Sequence, residues 1–279
     1  MHASPISTVT QSDIDTFERD GAVCLRQMFA PEWLDYLAGA IEEAMASSGP
    51  YTKTQSNPGD PGFYFSDYWA SHRVERLAYF AFNSPAAEIA ATLLHSERAN
   101  FFFDAVWVKE PLTRHRSAWH QDQPYYCVNG RQICILWLPI DPVAEDVSLQ
   151  CVRGSHSSGA MYDPIFFKHG SSGYGRNEAC TYRPIPDIDT HPEKFEVLQW
   201  ELERGDCIVF HGLTIHGAPG NSSGERRRRA VSTTWLGDDT TYIERPGMME
   251  PHIEDNGLAD GDSLDCAHFP RVWPRDPQQ

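Results

Sequence analysis

Two hydrophobic periods run along this chain, and the switch from one to the other divides it. Over residues 31–46 the apolar positions Trp33, Leu34, Leu37, Ile41 and Met45 return every three or four residues, the spacing of one buried helix face. Residues 12–19 predict a shorter helix with Ser12 as its cap, and residues 22–25 a short apolar strand. A helical pattern resumes over residues 74–94 and is broken near Asn83, Ser84 and Pro85. Between Tyr51 and Trp69 a mixture of Pro, Gly and aromatic residues predicts an ordered loop.

From Phe101 onward the apolar runs shorten to those of strands, at residues 101–109, 132–140, 148–152, 206–210 and 229–236, each bounded by Gly, Pro, Asp or Asn. The expected fold class is mainly β with flanking helices, built as an antiparallel barrel or jelly roll. We read one domain over residues 1–279: a helical part at about 10–95, a β core at about 100–240, a lid-like insertion at about 156–198 and a loop-like tail at 241–279.

Composition narrows the function classes. With 279 residues, 41% of them hydrophobic, the chain can bury one substantial core. Its formal charge of -16 repels phosphate backbones and anionic lipid, so a small molecule is the expected partner, with no nucleic acid and no membrane. Seven cysteines without a CxxC pair argue against a disulfide framework or a zinc ribbon. No apolar stretch is long enough to span a bilayer and residues 1–11 lack signal-peptide character, so a cytoplasmic protein is expected. Monomer and homodimer both stay open.

The first candidate chemistry lies in Trp119-His120-Gln121-Asp122. His and Asp two positions apart on an extended chain project to one side, so His120 and Asp122 can reach a common ion. A third ligand must come from a distant strand, and the stretch from Gly205 to Gly217 offers His211 and His216, of which we take His216. Two imidazoles and one carboxylate leave three octahedral positions open, which suits an Fe(II) oxygenase and not a closed structural zinc site. By itself the HxD triplet is common, and a chain with 12 His supplies a later one in any case.

The wider order of motifs is more specific. Trp119 to Tyr125 is followed by Leu136-Trp137-Leu138-Pro139-Ile140-Asp141, Gly154-Ser155-His156, Gly205-Asp206, and His216-Gly217 through Asn221 to Arg228-Arg229-Ala230. Over about residues 10–240 this set resembles the phytanoyl-CoA dioxygenase family of Fe(II)- and 2-oxoglutarate-dependent oxygenases. The resemblance implies a double-stranded β-helix, a cupin-like jelly-roll barrel, with Fe(II) held by His120, Asp122 and His216 and with 2-oxoglutarate and O2 as cosubstrates. It also implies that 2-oxoglutarate leaves as succinate and CO2 while the prime substrate is hydroxylated; the family name makes a fatty acyl-CoA conceivable, but a charge of -16 gives no field to attract its phosphates, so a small-molecule metabolite or natural product is expected. In that family an arginine about a dozen residues past the distal His binds the far carboxylate of 2-oxoglutarate, and Arg228 is the match. A guanidinium suits the task because its fork pairs with a carboxylate and stays charged when buried. Strand alternation puts Arg228, Ala230, Ser232 and Thr234 on one face, while Arg226, Arg227 and Arg229 read as a solvated turn.

The chain departs from the family pattern at Ala218, where relatives often carry Ser, at Val147-Ser148 in place of Asn-Gly, and at Arg153 in place of Pro. Another donor must then serve the cosubstrate. Lys109 either faces the cosubstrate or snorkels at a strand end, and Trp137 either walls the 2-oxoglutarate pocket or packs in the core. Tyr125, Tyr126 and Phe167 are candidates for an apolar substrate pocket, and His156 and His211 read as structural. Asp122 argues against a halogenase variant, which leaves that carboxylate position empty. A redox-inactive cupin-like metal-binding barrel or zinc enzyme would use the same triad, but would have no need of Arg228.

Overall fold

Thr10, not Ser12, caps the first helix. Its hydroxyl accepts the Asp13 N–H at 3.2 Å while the Asp13 carboxylate accepts the Thr10 N–H at 2.8 Å, a reciprocal capping box that satisfies two orphan donors. Helix α1 therefore spans Gln11–Asp20 and stops at Gly21, whose φ of 79° needs a residue without Cβ. A Cβ there would also sit 2.3 Å from the His156 ring. Helix α2 is Pro31–Ala46; α3, Glu75–Asn83, and α4, Ala86–Leu93, are separated at Ser84 and Pro85, where the chain turns extended before the proline.

A computed structural model describes residues 1, 3–56, 59–167, 174–176, 182–245 and 257–275, with residues 166–167 and 174–176 described by backbone alone. Its strands are, in chain order, β1 Ala22–Leu25, β2 Thr52–Gln55, β3 Tyr64–Tyr68, β4 Ala99–Lys109, β5 Ser117–His120, β6 Val128–Asn129, β7 Ile133–Pro139 and β8 Gln150–Val152. They continue as β9 Ile165–Phe167, β10 Tyr174–Arg176, β11 Val197–Leu198, β12 Cys207–His211, β13 His216–Ala218, β14 Arg228–Leu236, β15 Thr241–Tyr242 and β16 Arg271–Trp273.

The larger sheet runs β1-β12-β7-β14-β4-β3-β2, with β16 joined to the start of β4, and the smaller runs β11-β8-β13-β5; their pairings are antiparallel. Each strand of the larger sheet presents one set of side chains to the helices and the alternate set to the smaller sheet. Val23, Val106, Val108, Leu136, Val209 and Val231 face outward, in the cluster that also holds Trp33, Leu37 and Ile41 of α2 and Leu77 and Phe80 of α3. On the inner face, Ala22, Ile135, Trp137, Ile208 and Ala230 meet Cys151 and Ala218 of the smaller sheet. The two sheets thus close on a shared interior, and the helices only buttress the outside.

Two expected loops are strands. Within residues 51–69, β2 and β3 pair with each other, and β3 pairs along Ala105 to Lys109 of β4, a partner no local pattern reveals. The tail returns to the larger sheet through β16 and buries Leu264 and Phe269 completely. Within the expected lid, the end of the segment is also sheet, since Val197 and Leu198 pair with β8. Among the described residues the cysteines are free thiols, and no helix is long and apolar enough to cross a membrane.

Candidate active site

His120 ends β5, and the chain then turns. Asp122 has helical angles, φ -84° and ψ -44°, at the head of a single 3-10 turn over Gln123–Tyr125, so it is not extended as the HxD alternation predicted. Its carboxylate still reaches the same point as His120, because Gly212 O accepts both the Asp122 N–H at 3.1 Å and the Gln123 N–H at 2.9 Å and fixes the turn. His216 opens β13 as the direct register partner of His120. Asp122 Oδ1 lies 3.3 Å from His120 Nε2 and 3.6 Å from His216 Nε2, and the three candidate ligand atoms lie within 4.8 Å of one another.

Each imidazole is oriented from behind. His120 Nδ1–H donates to Ala118 O at 2.8 Å and His216 Nδ1–H to Thr214 O at 3.0 Å, which leaves both Nε2 lone pairs turned to the centre. Burial, then repulsion from His120, pulls His216 down to about 4, so its ring is neutral near pH 7. Burial works to raise Asp122, but His216, His120 and the Tyr126 hydroxyl outweigh it and hold the carboxyl below its usual range. His216 and Asp122 are thus held in the forms that bind a divalent cation, whereas at His120 burial is outweighed by the Asp122 carboxylate, which holds the ring above its usual value, so that a cation would displace a proton there.

Gln121, between the first two candidate ligands, is itself buried. Its Nε2 donates to Leu213 O at 2.7 Å and to Ala160 O at 3.0 Å, and its Oε1 accepts the Tyr162 N–H at 3.0 Å. One amide therefore ties the HxD turn to the loop before His216 and to the segment that follows Gly154-Ser155-His156. The other histidines lie elsewhere: His211 Nδ1 accepts the Leu213 N–H at 3.0 Å while its Nε2 meets Arg131 O at 2.7 Å, and His156 Nε2 meets Glu18 O at 3.0 Å. Both are structural in this arrangement.

Beyond the triad the inner face carries two cations. Arg228 of β14 and Lys109 of β4 are direct register partners and both are buried. Lys109 Nζ donates to Pro219 O at 2.6 Å and Ala218 O at 3.2 Å and lies 4.8 Å from the centre of the Tyr64 ring; Arg228 donates to Val147 O. Among the described residues neither has a carboxylate partner. Ala218, which lacks the expected hydroxyl, takes part through its carbonyl. Of the arginines expected in a solvated turn only Arg226 is exposed. Arg227 pairs with Glu42 and Glu110, and Arg229 lies within β14 with its guanidinium on Asp141 and Glu42, because alternation turns it to the outer face.

Trp137 sits on the inner face among Ile135, Ile208 and Ala230. Tyr125 stands edge-on to the His120 ring at 6.1 Å, with its hydroxyl accepting from Ile165 N and donating to Ile165 O. Tyr126 is half-buried beside Asp122, against Phe102 and Phe103. The side chain of Phe167 lies outside the described residues. Sequence reasoning did not single out Gln121, Tyr64 or Tyr68; the alternation Tyr64, Ser66, Tyr68 was the available signal that the last two share a face.

The comparisons with known proteins agree with this architecture. The phytanoyl-CoA dioxygenase (PhyH) family profile matches residues 17–230. A probable phytanoyl-CoA dioxygenase of Caenorhabditis elegans is 29% identical over 253 residues, which are 87% of this chain and 74% of that protein. Among solved structures, the non-heme alpha ketoglutarate dependent carbocyclase SnoK from nogalamycin biosynthesis superposes with a TM-score of 0.71 at 18% identity, over 98% of this chain and 100% of that one. The epimerase SnoN in complex with Fe3+, alpha ketoglutarate and nogalamycin RO gives 0.70 at 20% identity, over 94% and 98%. EctD from S. alaskensis with 2-oxoglutarate and 5-hydroxyectoine gives 0.66 at 16% identity, over 93% and 88%. At these identities the superpositions establish the fold, a double-stranded β-helix. With the profile spanning most of its length, this chain belongs to the phytanoyl-CoA dioxygenase family.

Proposed function

We propose that the protein is an Fe(II)- and 2-oxoglutarate-dependent oxygenase that hydroxylates a small-molecule metabolite or natural product, releasing succinate and CO2. His120, Asp122 and His216 would hold the iron, and Arg228 with Lys109 would hold the far carboxylate of 2-oxoglutarate. The observation that carries this reading is the pair of buried cations beside a two-imidazole, one-carboxylate set. Burying an ammonium and a guanidinium without a carboxylate is costly, and a dianionic cosubstrate supplies what the chain withholds. The small-molecule ligands in the SnoN and EctD structures support the substrate class.

When bound, iron would supply the centre at which O2, the oxidant, is activated, and 2-oxoglutarate would supply two of the electrons as it is oxidised to succinate and CO2. The chain's own part is orientation and exclusion. Ala118 and Thr214 fix the ring tautomers, Gln121 fixes the spacing of the triad, and the buried inner face keeps water from competing for the cosubstrate carboxylate. A redox-inactive metal barrel accounts for the triad but leaves the Lys109–Arg228 pair without purpose.

Anaerobic titration of the apoprotein with Fe(II) and then 2-oxoglutarate tests the reading through the visible charge-transfer band of the chelate. The band should form in the wild type, vanish in His216→Ala and need far more 2-oxoglutarate in Arg228→Ala. No band, with tight zinc binding instead, would sink it.

A further inference from the structure

Strand β4 is buried along its whole length except at Trp107. This strand lies within the larger sheet, between β14 and β3, and Trp107 is on its inner face. An inner-face side chain that still meets solvent marks an open space inside the barrel. Trp107 is held there by its Nε1–H, which donates to Ser232 Oγ at 2.8 Å, while its register partners Ser66 and Ala230 are too small to cover it.

The lining of that space is mainly aromatic. Tyr68 meets the Trp107 ring edge-on at 5.3 Å and Tyr64 stacks on it at 6.3 Å; Tyr68 continues to Phe103 at 6.4 Å, and Phe103 to Tyr126 at 5.3 Å. Tyr126 brings this wall to Asp122. Tyr68, Trp69, Trp107 and Tyr126 are all half-buried and pack against one cluster around Phe102 and Phe103.

Trp69 adds a directed group. Its backbone is left-handed, φ 52° and ψ 35°, a conformation that a bulky side chain rarely adopts. It is held from both sides: Trp69 N–H donates to Asp104 O at 2.9 Å, and Trp69 O accepts the His72 N–H at 3.1 Å. The ring lies on His72 at 5.0 Å and meets Tyr51 edge-on at 6.3 Å. Its Nε1–H is withdrawn from water and has no acceptor among the described residues. An indole nitrogen can only donate, so an oxygen must come from elsewhere, and backbone strain held by surrounding bonds is a feature of ligand clamps.

We propose that Tyr68, Trp69 and Trp107 form the platform for the prime substrate, an uncharged ring-bearing small molecule with an oxygen that accepts the Trp69 Nε1–H. The proposal rests on the oxygenase reading, whose substrate class it narrows. Stacking area selects the ring, and the unpaired donor selects an oxygenated ring over a hydrocarbon one. The cations against this wall are already engaged, Lys109 over the Tyr64 ring with Ala218 O and Pro219 O, and Arg245 with the carbonyls of Tyr126 and Val128.

The test uses the protein loaded anaerobically with Fe(II) and 2-oxoglutarate and two probes of matched shape, chromone, which carries oxygen acceptors, and naphthalene, which does not. Equilibrium dialysis should give saturable chromone binding, about tenfold tighter than naphthalene, as one hydrogen bond provides. Trp69→Phe keeps the ring and the backbone demand but loses the donor; it should bring the ratio near one without changing naphthalene affinity. Tyr68→Ala should weaken both probes. The chelate band, recorded on every sample, reports an intact metal site. With the band present, failure of either probe to saturate, no discrimination between them, or discrimination that survives Trp69→Phe overturns the platform alone. Absence of the band in the wild type overturns the oxygenase reading and the substrate assignment with it.

Discussion

Lys109 and Arg228 face each other across the β4–β14 pairing, two buried cations in direct register with backbone carbonyls as their acceptors. Burial, with repulsion from Arg228 and Arg116, pushes the Lys109 ammonium well below its usual range, and burial brings Arg228 down to about 10. The fold holds this strain in readiness for an anion. Lys109→Met should therefore raise the melting temperature of the protein without cosubstrate while weakening 2-oxoglutarate. Arg228→Ala should cost about 2–3 kcal/mol of cosubstrate binding, or roughly 30- to 150-fold in Kd. Calorimetric titration beside thermal melts with and without 2-oxoglutarate checks both, and a Lys109→Met protein that melts lower in the absence of cosubstrate would contradict the first.

Gln121 holds the triad through Leu213 and the covering segment through Ala160 and Tyr162. Gln121→Ala should lower Fe(II) or Co(II) affinity about 10- to 100-fold, the usual effect of removing an orienting partner. The Co(II) absorption spectrum should broaden while the far-UV circular dichroism stays that of the wild type. An unchanged metal affinity would make this residue a packing group only.

Metal should also stabilise the fold. At a free metal concentration of about 100 times Kd the gain is about 2.7 kcal/mol. For a chain of this size that is a rise of roughly 5–10 °C in melting temperature. Chelation should remove the rise in the wild type, and His216→Ala should show none to remove.

Asp104 provides a pH signature independent of the site. It is buried on the outer face of β4, where burial raises its carboxyl to about 6 against the opposing hydrogen bonds from the Ser71 hydroxyl and N–H. Since an unfolded carboxyl titrates near 3.8, the folded protein binds the extra proton between about 4 and 6. The contribution of Asp104 to stability therefore falls as pH rises through that window, and stays lost above it. Asp104→Asn, which cannot ionise, should gain on the wild type by about 1–3 kcal/mol between pH 4.5 and pH 7.5 in urea unfolding. A constant difference across that range would show the carboxyl to be ionised throughout.

The elements that were legible in the sequence are those whose cause is local. The three- and four-residue spacing of Trp33, Leu37 and Ile41 needs only α2 itself, and the break at Ser84 and Pro85 needs only the proline. Strands β4, β7, β12 and β14 could be read to within one or two residues because turn formers bound them. The β2–β3 hairpin and β16 could not, because their order comes from pairing with β4 and from the burial of Phe269. The same division runs through the site. Alternation sufficed to put Arg228 on the inner face with Ala230, whereas the helical turn at Asp122 depends on Gly212 O, and the place of Gln121 on Leu213 O, both distant in the chain.

Strand β16 has a consequence for the order in which the molecule is made. The stretch of chain that carries His120, Asp122 and His216 leaves the ribosome well before Leu264 and Phe269, which back the wall on which Phe102 and Tyr126 rest. A nascent chain can thus carry all three candidate metal ligands while the aromatic wall of the barrel still lacks its backing. If the triad holds iron as proposed, its ligands are synthesised before the residues that back the aromatic wall, and β16 is the strand that ties that last segment to the larger sheet.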